Sequence, residues 1–221
     1  MTKTDDLIDA ALTHVPFEGM NDRALMSGAR DLGIAPALAR VLVPQGGAGL
    51  AAAVHRRGDA ALARWLADTP PQGRFRDRVA AAVWHRLALA DRETVRAAAS
   101  VLALPQNAAL AARLMWETAD TIWTGLGDTS RDMNWYSKRA ILAGVHSASA
   151  LYWLGDDSDG GLATRGFIDR RIDGVMRFEK AKAAARRVPG VAMLADLATG
   201  WVRAPDGPRD LPGRFREGGA A

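Results

Sequence analysis

The chain has 221 residues, enough for one large domain or a small one fused to a larger one, and its formal charge of +4 invites an acidic partner such as nucleic acid or an anionic membrane. It contains no cysteine, which excludes disulfides, thiol catalysis and cysteine-ligated zinc and fits a reducing compartment. Met1 to Asp6 carry two acids and no apolar run, so no signal or transit peptide is expected, and no apolar stretch approaches the ~20 residues of a spanning helix.

Alanine, leucine and arginine dominate, and apolar residues recur at spacings of three and four. That is helix periodicity, and it predicts an all-α chain of about ten helices with no sheet. The first helix runs from about Asp5 to His14 with Thr4 or Asp5 as its cap. Leu7, Ile8, Ala11, Leu12 and Val15 form its buried stripe, and Pro16 stops it. A second helix from about Asp22 to Leu32 ends at Gly33, and a short third covers Ala35 to Leu42. This pair has the form of a helix-turn-helix. Pro44 and Gly46-Gly47 break the chain before a longer helix from about Ala48 to Leu66.

Thr69-Pro70-Pro71-Gln72-Gly73 is the clearest linker, and a larger helical body follows it. There Phe75, Val79, Ala82, Val83 and Leu87 stripe one helix, Thr94 to Leu104 forms another, and Asn107 caps a third that reaches about Gly125. Asn134 caps a long helix to Leu154, Gly155 to Gly161 is a polar turn, and a further helix covers about Leu162 to Ala185. Val191 to Arg203 reads as a short amphipathic helix, and residues 204–221, rich in Pro and Gly, as a disordered tail.

Candidate chemistry is sparse. His14, His55, His85 and His146 share no helical i, i+3 or i+4 spacing, so no helical metal site is expected. Asp156-Asp157-Ser158-Asp159-Gly160 resembles a fragment of a calcium loop, but Phe167 or Ile168 holds the place of its closing glutamate, so it reads as a solvated turn. Gly46-Gly47-Ala48-Gly49 follows no strand and no Gly-Lys-Ser/Thr follows it, which excludes a phosphate loop. Nothing assembles a nucleophile, base and orienter, so a non-enzyme is expected.

Seven tryptophans stand out in an otherwise aromatic-poor chain. Trp116 and Trp123 lie seven apart on one helix, beside a face of Ala111, Met115, Ala119, Ile122 and Leu126. Ile141, Val145, Ala148 and Tyr152 line up on the next helix, near Gly144 and Ser147, and Ile168, Ile172, Val175 and Met176 on the one after. Such faces make either a filled core or an elongated apolar cavity.

The segment Asp128-Thr129-Ser130 followed by Asn134-Trp135-Tyr136-Ser137-Lys138-Arg139 resembles the hallmark string of the Coq-nine family of ubiquinone-biosynthesis proteins. Phe167-Ile168-Asp169-Arg170-Arg171-Ile172-Asp173 and Ala29-Arg30-Asp31-Leu32-Gly33-Ile34 are similar to it as well, and the likeness spans about residues 5–182. The resemblance implies a TetR-like fold, a homodimer, an isoprenoid or other lipid held in a helical pocket, and a C-terminal amphipathic helix that meets the membrane. It also implies a lipid-presenting role toward a ubiquinone-ring hydroxylase that docks on the Asn134, Trp135, Tyr136, Lys138 and Arg139 patch. On this reading, residues 1–68 are a helix-turn-helix-like unit, 74–188 a lipid-binding body, 189–203 a membrane-binding helix and 204–221 the tail. No cofactor is expected beyond the bound lipid, an isoprenoid quinone intermediate or a phospholipid. Met115, Trp116, Ala119, Ile122, Trp123, Ile141, Val145, Tyr152, Ile172 and Met176 are the candidate lipid contacts. Val191, Leu194, Leu197 and Trp201, with Lys180, Lys182, Arg186 and Arg187, are the candidate contacts to an anionic membrane. The expected location is a bacterial cytoplasm, peripheral to the inner membrane.

The alternative is a TetR-type DNA-binding repressor. The stretch that would read DNA holds Ala35, Pro36, Leu38, Arg40, Val41 and Gly46, of which only Arg40 can meet a phosphate. The basic excess lies elsewhere: Arg165 to Arg187 contains eight Lys or Arg against three Asp or Glu. No specific nucleic-acid binding is therefore expected.

Overall fold

Nine α-helices account for the described residues of the computed structural model, which are 2–131 and 133–185, with side chains as far as 175. They are α1 (Lys3–Glu18), α2 (Asp22–Asp31), α3 (Pro36–Leu42), α4 (Gly47–Asp68), α5 (Phe75–Ala88), α6 (Arg92–Leu102), α7 (Ala108–Gly125), α8 (Met133–Leu154) and α9 (Leu162–Ala185). The segments 191–203 and 204–221, read above as a tenth helix and a tail, lie outside the described residues.

Several helix ends differ from their expected capping. α1 begins two residues earlier than expected, because Thr2 and not Thr4 or Asp5 caps it: Asp5 N donates to the Thr2 hydroxyl (3.2 Å) and Thr2 N to the Asp5 carboxylate (3.1 Å). α6 begins at Arg92 and not Thr94, because Asp91 caps it, and Asn107 stands before α7 without capping it, its side-chain amide donating to the Val101 carbonyl (2.8 Å). Pro16 does not stop α1. Its missing N–H removes only one bond near the helix end, and the helix runs on to Gly19, which closes it at φ +78°. α8 starts at Met133, so Asn134 lies in its first turn instead of capping it.

α1 lies across α2 at a close approach that glycine permits. A Cβ on Gly28 would come within 2.4 Å of the Ala11 backbone nitrogen. Two apolar cores result. One gathers Leu7, Ile8, Leu25 and Leu50 from α1, α2 and the start of α4, with Ala98 of α6 joining it. The other gathers Leu62 and Leu66 from the end of α4 with Val83, Ile122, Trp123 and Ile168 from α5, α7 and α9. α4 therefore feeds both cores, and the linker at residues 69–73 separates helices without separating the packing.

The polar turn before α9 is a helix cap. The buried Asp156 carboxylate accepts from Ser158 N (2.9 Å) and Thr164 N (2.9 Å). These bonds hold its carboxyl well below the usual carboxylate range. Among the described residues, no single helix is long and apolar enough to cross a membrane.

Candidate functional site

Between the two cores the helices leave a cavity of about 560 Å³. Its walls come from small and aliphatic side chains, chiefly Ala61 on α4, Leu87 on α5, Val95 and Ala99 on α6, and Ala150 and Leu154 on α8. α6 supplies a run of alanines where larger residues would close the space, so the hollow follows from side-chain volume.

One end of this cavity is polar, and it is made of buried groups. Arg86 on α5 is 5% exposed; its Nε donates to Asp59 Oδ1 (2.7 Å) and its Nη2 to the His55 carbonyl (2.8 Å). The Thr118 hydroxyl contacts both Asp59 carboxylate oxygens (2.9 and 3.0 Å) and His55 Nε2 (2.7 Å). Arg86 can lie against α4 because residue 58 is glycine: a Cβ there would stand 2.5 Å from Arg86 Cζ. His146 on α8 is 3% exposed and lines the same cavity, and its Nδ1 finds no hydrogen-bond partner among the described residues. Burial, with the nearby charges of Arg86 and His55, pushes the His146 imidazole down to about 3, so it is neutral. Burial also pushes His55 down, although the Asp59 charge pulls it the other way. The cluster thus presents neutral imidazoles beside an ion pair whose charges cancel.

Of the ten candidate lipid contacts, the structure brings only Met115 to this cavity. Ala119, Ile122, Trp123 and Ile172 are buried in the filled core around α7. Ile141 and Val145 line a separate groove between α8 and α9, with Gly144, Ala148, Arg170 and Val175. Tyr152 is exposed and stacks on Phe167 at 4.5 Å, and Trp116 is half-buried at the edge of α7. The side chains of Met176, Lys180 and Lys182 lie outside the described part of the structure, and the other candidate membrane contacts lie outside the described residues altogether. Asp59, Arg86 and Thr118 escaped the sequence reading, and His55 and His146 were weighed there only as metal ligands. The available signal was a charged residue inside an apolar stripe: Arg86 next to Leu87, and Asp59 among the alanines of α4.

The Asp-Thr-Ser to Lys-Arg string forms a charge latch between α7 and α8. The Asp128 side chain, 4% exposed, accepts from Ser130 Oγ (2.8 Å), Lys138 Nζ (2.9 Å) and Arg139 Nη1 (3.1 Å). Burial alone would raise its carboxyl, but these three donors outweigh burial and hold it at about 2. Arg139, expected in the docking patch, is itself 2% exposed and donates from Nε to Asp120 (2.5 Å), so it lies beneath that surface. Its guanidinium lies 4.0 Å from the Trp135 ring centroid. Trp135, Tyr136 and Trp116 remain half-buried and form an aromatic cluster across α7 and α8, with Trp135 and Tyr136 edge to face at 4.8 Å.

This all-α architecture is TetR-like: a TetR transcriptional regulator from Nitrosomonas europaea superposes with a TM-score of 0.60 at 15% identity, over 78% of this chain and 97% of that one. At that identity the likeness concerns the fold alone. A family model described as COQ9 matches residues 108–179, which hold the latch, the aromatic cluster and most of α9. The ubiquinone biosynthesis protein COQ9, mitochondrial, of Drosophila melanogaster is 30% identical over 180 residues, covering 78% of this chain and 55% of that protein. Its Rattus norvegicus counterpart is 31% identical over 184 residues, covering 77% and 57%. The Schizosaccharomyces pombe protein is 29% identical over 169 residues, covering 75% and 67%. The chain is thus similar to the COQ9 family, most specifically over residues 108–179. It spans little more than half the length of the fly and rat relatives. These relatives are mitochondrial proteins, which overturns the expectation of a bacterial cytoplasm and the inner membrane. That expectation rested on the absence of cysteine, of a leader-like start and of a spanning apolar stretch, none of which decides a compartment.

Proposed function

We propose that this chain is a non-catalytic, lipid-binding protein of ubiquinone biosynthesis, which holds an isoprenoid quinone intermediate and presents it to a ring hydroxylase. The observation that carries this reading is the cavity of about 560 Å³ with aliphatic walls and one buried polar end. Pockets for small ligands typically measure about 300–1,000 Å³ and are mostly apolar with a few placed polar groups. Similarity to the COQ9 family supplies the pathway, through the name those relatives carry.

The hydroxylase docks on the aromatic cluster of Trp116, Trp135 and Tyr136. The support is composition and rigidity: aromatic side chains in a partly exposed cluster make interface hot spots, and the Asp128–Arg139 latch fixes the helix that carries two of them. Asn134 and Lys138 flank the cluster on α8. A homodimer through the exposed α8–α9 face and reversible attachment of the basic, apolar segment 180–203 to an anionic membrane complete the proposal. The repressor reading has less support, because Arg40, the basic side chain of α3, is paired with Asp22 at 2.9 Å.

Mass spectrometry of lipid retained by the natively purified protein tests the reading. An isoprenoid quinone intermediate is expected with the wild type and is expected to be lost in Ala150→Trp, where a bulky ring fills the cavity. Protein that retains no lipid, or an Ala150→Trp variant that stays folded and retains the same lipid, would overturn it.

A further inference from the structure

Resting on the lipid-binding reading, the polar end of the cavity carries a statement about which head groups it accepts. Two arginines line the cavity, and each is already neutralised. Arg86 is held by Asp59, and Arg57 by Asp5 (3.0 Å) and Asp9 (2.5 Å). Asp91, also on the wall, uses its carboxylate to cap α6 through Thr94 N (2.7 Å) and adds a negative charge to the lining. His55 is engaged by Thr118. The lining therefore offers an incoming anion no uncommitted cation among its described side chains. Stripping the water from a carboxylate or phosphate inside an apolar cavity costs far more than stripping it from a hydroxyl unless a counter-charge compensates.

The cavity wall also carries a buried polar group that the fold leaves unused. His146 lines the cavity and its Nδ1 is buried without a partner among the described residues, and leaving such an atom unsatisfied is itself unfavourable. A ligand oxygen satisfies it. Neutral imidazole can accept from a hydroxyl or, in its other tautomer, donate to a carbonyl. We propose that His146 is the residue that sets head-group specificity: the cavity selects chains ending in a neutral oxygen, such as an alcohol, phenol or quinone carbonyl, and discriminates against the same chains ending in a carboxylate or a phosphate. The Arg86–Asp59 pair acts by position, packing behind this end and keeping it electrically neutral.

The test is binding of four ligands with one carbon skeleton: farnesol, farnesoic acid and farnesyl phosphate, which differ in their heads, and the saturated hydrocarbon farnesane, which has none, titrated at neutral pH into the wild type, His146→Leu and His146→Gln. The wild type is expected to bind farnesol at least about tenfold more tightly than either anion, because the anion loses its hydration without a counter-charge. His146→Leu is expected to lose about fivefold to tenfold of the preference for farnesol over farnesane, the scale of one hydrogen bond. His146→Gln keeps a polar atom at the site and is expected to retain most of that preference, which separates a lost contact from a damaged fold. Equal affinity of the wild type for farnesol and the two anions overturns the head-group proposal while leaving lipid binding intact. So does an unchanged farnesol preference in folded His146→Leu. Binding of none of the four ligands overturns the lipid-binding reading itself.

Discussion

Gly58 and Arg86 show how one missing methyl group shapes the site. Alanine is normally the better residue inside a helix by about 1 kcal/mol, so Gly58→Ala would stabilise α4 if the space were open. It is not open, because the guanidinium filling it is pinned by Asp59 and by the His55 carbonyl. The sign is therefore expected to reverse, with Gly58→Ala costing about 1–3 kcal/mol in urea unfolding as the ion pair is displaced. Arg86→Met, which leaves Asp59 buried without its cation, is expected to cost about 3–5 kcal/mol. His146 adds a pH dependence whose direction follows from burial. Its folded value, about 3, lies below the ordinary 6.5, so on acidification the unfolded chain takes up a proton that the native state refuses. The contribution is complete above the unfolded value and is lost as the pH falls from about 6.5 towards about 3. Between about pH 7 and about pH 5 the loss is about 2 kcal/mol for this one group. Chemical denaturation at the two pH values checks this: His146→Gln is expected to flatten the slope, leaving the smaller share from His55, and an unchanged slope would show that His146 titrates normally.

At the scale of elements, the helices were legible wherever apolar spacing and capping residues agreed. Asn21 caps α2 by accepting from Arg23 N and Ala24 N, and Leu7, Ile8, Ala11 and Val15 are buried on α1 as their spacing requires. The hollow was not legible. A 3.6-residue period says which face of a helix turns inward, not whether the facing side chains are large enough to fill the gap. Ile122 and Trp123 of α7 meet a full set of neighbours, whereas the alanines of α6 and the small residues of α4 do not. The latch was also hidden, because helical spacing does not show that the loop holding Asp128 folds back along α8 to meet Lys138 and Arg139, ten and eleven residues on. Its removal gives a test that separates scaffold from surface. Asp128→Ala leaves the buried Arg139 with Asp120 as its remaining acidic partner, and an expected cost of about 2–3 kcal/mol falls somewhat below that of an unrelieved buried pair. Trp135→Ala and Tyr136→Ala remove half-buried rings and are expected to cost less than the about 3–5 kcal/mol of a core aromatic while weakening hydroxylase pull-down. A core-sized loss of stability in either ring variant, or intact pull-down by both folded proteins, would mean that the cluster serves packing alone.

For the whole molecule, fold and function point in different directions, and side-chain chemistry decides between them. The TetR-like arrangement of α1 to α4 places α3 where a regulator would carry its DNA-reading helix, and shape alone would suggest an operator-binding protein. Recognition needs phosphate contacts for register and polar groups for base edges. α3 instead exposes Leu38 and Val41, and its Arg40 is tied to Asp22 across the helix pair. Freeing Arg40 for a phosphate would break that pair, so even the one positioning contact comes at a cost. What remains is the net charge of +4, which supports only sequence-independent attraction. Such attraction rests on counterion release, and its affinity falls steeply with salt, the more so the more phosphates are neutralised. Fluorescence anisotropy with a random duplex is therefore expected to show weak binding at about 50 mM salt and to lose it by about 200 mM, with no dependence on sequence. Selection from a randomised duplex pool at the higher salt completes the measurement. Enrichment of a discrete site with nanomolar affinity would show that α3 reads DNA despite its apolar surface and would restore the repressor reading.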